Sequence, residues 1–169
     1  MSELDAAVAA PGLRALAEAR RHVGVREVPP GSNRTVFGRW FGADGEPWCA
    51  IFLSYCFKVG AGVTLCGGYE GAGVTPLGCA YVPTIASWLR DTGQWVEGEP
   101  RPGDIAIFNW DGGEPDHAGI VARRLPEGRF ESIEGNASDQ VARRQHDAAD
   151  CDGFGRVRPY VEADVASYT

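Results

Sequence analysis

Near Pro100 the hydrophobic spacing of this chain switches from helical to strand-like. Before that point, residues 13–25 set Leu13, Leu16, Ala17, Arg20 and Val23 at helical steps, and Gly24 stops the run. The stretch Glu27-Val28-Pro29-Pro30-Gly31-Ser32-Asn33 is turn chemistry, and residues 40–46 read as a loop. A second helix follows. Pro47 falls in its first turn, where a missing N–H costs nothing, and Gly60 or Gly62 lies just beyond its end. Its body (Ala50, Ile51, Phe52, Leu53, Tyr55, Phe57, Val59) is apolar on nearly every side, which predicts a buried central helix. Residues 60–80 are dense in glycine and long enough to form a functional wall. Residues 84–91 read as a short helix.

After Pro100, residues 105–108, 118–122, 130–134, 141–145 and 155–160 read as short strands separated by Gly, Pro and Asp. Helices first and a meander of strands afterwards predict an α+β fold, with the helices packed on one side of an antiparallel sheet of about five strands. Residues 1–12 read as a leader and 13–169 as a single domain.

Charge and composition remove several function classes. Lys plus Arg number 16 and Asp plus Glu 23, a net charge of −7, so the chain is not expected to clamp nucleic acid by counterion release. No apolar run approaches the roughly 20 residues a spanning helix needs, so no membrane partner is expected. Glu3 and Asp5 stand where a secretory signal would be basic, so delivery outside the cytoplasm would need another route. The five cysteines form no Cys-x-x-Cys pair and the three histidines are scattered, which argues against structural zinc. Cys66 and Cys79 bracket glycine-rich chain and could close a loop; buried reduced thiols fit equally well.

Two positions carry candidate chemistry. Cys49 falls in the first turn of the central helix, where the positive helix end favours a thiolate, although cysteine is also a common core residue. Cys56, two turns further along the same face, reads as core and lies too far away to bridge. His117 opens a strand. If the chain reverses around Leu125-Pro126-Glu127-Gly128, His117 lies opposite Asn136, and Glu134 shares that face of the sheet. An imidazole flanked by a carboxylate and a carboxamide is what a general base needs: one group fixes the tautomer while the other ring nitrogen addresses a thiol. A slip of one residue would break the arrangement. Asp111, Glu114 and Asp116, with Asp44 and Glu46, raise calcium as an alternative to solvated turns, but the D-x-[DN]-x-[DN]-G loop pattern is missing. No cofactor is expected.

Four motifs in order, Glu46-Pro47-Trp48-Cys49-Ala50-Ile51-Phe52, Arg101-Pro102-Gly103-Asp104-Ile105-Ala106-Ile107-Phe108, Asp116-His117-Ala118-Gly119-Ile120-Val121 and Ile133-Glu134-Gly135-Asn136, resemble the CHAP domains, the cysteine, histidine-dependent amidohydrolases/peptidases. The resemblance implies a papain-like fold and hydrolysis of bacterial peptidoglycan. It makes Cys49 the nucleophile, His117 the base, and Glu134 with Asn136 the orienting groups. Such domains occur in phage endolysins, phage tail and secretion-system effectors, and secreted autolysins, so release through a holin-type pore or by injection is the expected route to the wall. Endolysins often add a wall-binding module, for which 169 residues leave no room. The Cys49 backbone N–H would supply one oxyanion donor. Trp48, Trp110 and the glycine-rich stretch are expected to flank the substrate groove, and the chain is expected to act as a monomer. Two rivals stand beside this reading: an inactive wall-binding or structural module on the same scaffold, and a cytosolic acyl-transfer enzyme with the same dyad.

Overall fold

The computed structural model describes residues 10–159. Helix α1 (Pro11–Arg21) begins at its proline, two residues before the helix start expected at Leu13. Helix α2 (Val36–Phe41) falls partly on residues read as loop. Six residues are too few to show a period, but their ends are marked. Thr35 caps the start by accepting from the Gly38 N–H, and Gly42 ends the helix in the left-handed region at φ 87°. Helix α3 (Cys49–Tyr55) is the expected buried central helix, although it starts two residues after Pro47. At Cys56–Gly60 it loosens into a π-turn. Gly60 is needed there, because a Cβ would sit 2.8 Å from both the Arg14 carbonyl oxygen and the Glu18 Cβ of α1. Within the glycine-rich stretch, β1 (Val74–Thr75) and β2 (Gly78–Cys79) form a small hairpin that the periodicity did not reveal. Helix α4 (Val82–Asp91) follows.

Six further strands make one antiparallel sheet: β3 (Trp95–Val96), β4 (Ile105–Phe108), β5 (His117–Arg124), β6 (Arg129–Glu134), β7 (Ala142–Asp147) and β8 (Cys151–Gly155), in the spatial order β3-β8-β4-β5-β6-β7. The sheet has one strand more than the expected five, because Trp95–Val96 pairs with β8 at the edge. The last strand lies at Cys151–Gly155 rather than 155–160, since Cys151, Gly153, Phe154 and Gly155 are the residues that pair with β4. Residues 1–9 of the expected leader and the chain beyond residue 159 lie outside the described residues.

Alternation along the strands divides the sheet into two faces. Ile105, Ile107, Ala118, Ile120, Ala122 and Ile133 join the core made with Leu16, Phe37, Ile51, Phe52, Leu53 and Leu89 of the helices. The helices therefore cover one face, as expected. Ala106, Phe108, Val121, Phe130 and Phe154 form a second, smaller cluster on the other face. No helix among the described residues is long and apolar enough to cross a membrane.

Candidate active site

The β5–β6 hairpin decides the geometry. Ile120 pairs with Ile133 and Val121 with Ser132, the register expected from the reversal at Leu125–Gly128, and the strands slip only past Ala122, at the end away from His117. Parity then puts His117, Gly119, Ser132 and Glu134 on one face. His117 Nε2 lies 2.7 Å from Glu134 Oε1. Gly119 makes this contact possible: a Cβ there would sit 2.6 Å from the Glu134 Cγ.

Glu134 is buried and fully engaged. Its Oε2 accepts from Ser132 Oγ and from His146 Nε2, the latter at 2.6 Å. Burial alone would push this carboxyl up, but hydrogen bonds from His117, His146 and Ser132 outweigh it and hold the group at about 2. An ionised carboxylate can only accept, so both histidines carry a proton on Nε2. That leaves His117 Nδ1 free of Glu134, and Cys49 lies near enough to the ring to raise its pKa. Burial works against a charge on His117, yet Cys49 and the Glu134 carboxylate beside the ring raise it to about 9. At neutral pH His117 is therefore an imidazolium.

Cys49 is the first residue of α3, whose leading N–H groups have no intrahelical acceptor and are available to a developing oxyanion. It lines a cleft of about 710 Å³ together with Glu46, Asp111, Glu114 and Asp116 and with Ala72, Gly73, Ala80 and Tyr81. The glycine-rich stretch thus supplies one wall, as its length suggested. Trp110 is 56% exposed and lays its ring over His117, with centroids 5.3 Å apart.

Trp48 does not flank the groove. It is fully buried, stacks on Phe37 and donates its indole N–H to Glu27. Asn136 follows the strand at φ 56°, in the left-handed region that asparagine tolerates, and among the described residues its carboxamide makes no hydrogen bond. The structure brings Cys49, His117 and Glu134 together and leaves Asn136 beside them. The acidic residues do not converge as a cation site: Asp111 Oδ1 accepts from the Gly113 N–H, Glu114 from the Tyr81 hydroxyl, and Asp44 from the Thr35 N–H. Among the described residues no three His, Cys, Asp or Glu side chains are grouped to hold a metal. All five cysteines are unbridged, and the Cys79 thiol lies against the Ala72 and Tyr81 carbonyl oxygens.

The fold is the α+β, papain-like arrangement, with a helix-borne cysteine facing a strand-borne histidine. The sequence profile of the CHAP domain matches residues 41–136, more than half of the chain, and the protein belongs to that family. Among solved structures it is similar to Ly7917, at 19% identity, over 88% of this chain and 62% of that one. The TM-score is 0.49 to one crystal structure of Ly7917 and 0.52 to another, of Ly7917 with the hydrolyzing product of MDP. The chain therefore spans less than two thirds of that protein's length. No curated protein sequence matches the chain.

Proposed function

We propose that this protein hydrolyses an amide bond in the peptide of bacterial peptidoglycan by cysteine–histidine nucleophilic catalysis. The observation that carries the reading is the buried Glu134 carboxylate 2.7 Å from His117 Nε2, with Cys49 at the head of α3 near enough to the same ring to raise its pKa. Membership of the CHAP family and the relative crystallised with the hydrolyzing product of MDP favour a wall substrate. The Cys49 thiolate attacks the carbonyl carbon, and the tetrahedral oxyanion forms near the α3 N–H groups. His117 gives its proton to the leaving amine, and a thioester remains. Neutral His117 then takes a proton from water, whose oxygen attacks the thioester, releasing the acid and restoring the Cys49 thiolate beside protonated His117. Glu134 steadies the imidazolium throughout.

The inactive-module reading is disfavoured because Cys49, His117 and Glu134 are all present and the His117–Glu134 hydrogen bond is made. The reading extends to a monomeric lytic protein of phage type, acting outside the cytoplasm. Its test is mass spectrometry of fragments released from purified peptidoglycans of several cross-link types by the wild type and by Cys49→Ala. New peptide ends from the wild type alone support it; no new ends from any wall overturn it.

A further inference from the structure

His146 was not among the residues the sequence singled out, yet it is bound to the centre of the site. It lies on β7 opposite Phe130, which brings it onto the same face as Ser132 and Glu134. Its ring packs 4.5 Å from Phe108 and 5.7 Å from Phe130, with Trp110 6.2 Å away, so three aromatic rings fix its plane. One ring edge is aimed at a single acceptor, Glu134 Oε2 at 2.6 Å. The titratable groups it reaches are Glu134 on β6, by direct hydrogen bond, and His117 on β5 across that carboxylate.

A carboxylate that only meets His117 can rotate about its last bond and trade one oxygen for the other. Glu134 cannot, because its second oxygen is held by His146 from the next strand and by Ser132 from its own. We infer that His146 is a positioning residue for the Cys49–His117 pair, acting through Glu134: it locks the carboxylate so that Oε1 stays on His117. This rests on the catalytic reading above and extends it to a second histidine that never meets the substrate.

The test compares His146→Leu, which fills the space without a donor, with His146→Gln, whose amide N–H can reach the same oxygen. His146→Leu is expected to lower kcat about 10- to 30-fold with KM changed less than about twofold, and His146→Gln to recover to within about threefold of wild type. In a Glu134→Gln background the same His146→Leu change is expected to alter kcat by less than about twofold, because its route of action is already gone. The far-downfield proton resonance of the His117–Glu134 bond, read by NMR without substrate, should be sharp in wild type and His146→Gln and broadened or lost in His146→Leu. If His146→Leu keeps wild-type kcat and that resonance, or if the loss persists undiminished in the Glu134→Gln background, the positioning role is wrong. A wild type that cuts no wall but loses the resonance in His146→Leu would overturn the peptidoglycan reading and leave this one standing. A folded His146→Leu with the same thermal midpoint as His146→Gln separates the effect from general destabilisation.

Discussion

The indole N–H of Trp48 donates to Glu27 Oε1 at 2.9 Å, and both residues are buried. The other oxygen of Glu27 accepts from the Asn33 N–H, so one carboxylate ties the turn at residues 27–33 to the residue just before Cys49. Trp48→Phe is expected to leave that oxygen unpaired and to lower stability by about 1–3 kcal/mol, with KM unchanged. Trp110→Ala should do the reverse, keeping the thermal midpoint and changing turnover, because its exposed ring covers His117. Denaturation and steady-state kinetics on both variants check the contrast. A raised KM in folded Trp48→Phe would return Trp48 to the groove.

The two cysteines of α3 and its π-turn should separate chemistry from packing. Cys49→Ala is expected to abolish hydrolysis in a folded protein. Cys56 is fully buried, and burial pushes its thiol well above the ordinary range. Cys56→Ala should therefore cost about 1–2 kcal/mol through a small cavity and leave turnover largely intact. Turnover by Cys49→Ala, or a folded but inactive Cys56→Ala, would show that the wrong thiol has been assigned.

Glu134 and Asn136 are distinguished by a pH–rate profile. The upper limb of wild-type activity should fall as His117 loses its proton near pH 9. Glu134→Gln removes the negative charge that raises the ring, so that limb moves to lower pH and the rate drops by about 10²–10⁴-fold. Asn136→Ala should cost much less and leave the limb in place. A damaging Asn136→Ala beside a nearly silent Glu134→Gln would reverse the two roles.

Gly119→Ala tests the close approach directly. The new Cβ would lie 2.6 Å from the Glu134 Cγ and 3.2 Å from the Ile133 carbonyl oxygen. Displacing Glu134 should cut kcat at least about tenfold, alongside a stability loss of roughly 1–3 kcal/mol. Unchanged kinetics would mean that the carboxylate can reach His117 by another path.

The same groups make stability depend on pH with opposite signs. Glu134 is held at about 2 against an ordinary 4.5, so its contribution is present above pH 4.5 and is lost as pH falls through 2. His117 is raised to about 9 from 6.5, so its contribution is complete below pH 6.5 and is lost as pH rises through 9. The stability gap between wild type and His117→Ala, measured by denaturant titration, should narrow between those two values. A gap that widens with rising pH would contradict the sign.

The hairpin that brings Glu134 to His117 was legible because both strands alternate cleanly and the turn at Pro126–Gly128 sets their register; the Ala122 bulge lies beyond the site and does not disturb it. Asn136 was placed by extending that register past the strand's end, but the chain leaves the sheet at Gly135 and turns left-handed. His146 was not found because it needs a second register, β6 to β7, across a connection whose Ser138 and Asp139 have positive φ. Trp48 was misplaced because its burial depends on Glu27, which stands 21 positions away and looks like an ordinary surface acid in a turn. The π-turn at Cys56–Gly60 has no signal in periodicity, since a helix that loosens by one residue keeps its apolar face.

Cys49 rides on the helical layer, and His117, Glu134 and His146 ride on strands that follow it in the chain. As the protein leaves the ribosome, the thiol therefore emerges first, with no base or carboxylate to work with. The charge pair can assemble only after β5 and β6 have paired and docked against α3. A nascent or prematurely terminated chain that stops short of Glu134 lacks the partners proposed to activate Cys49, so the proposed chemistry can begin only once β5 and β6 have been made and paired.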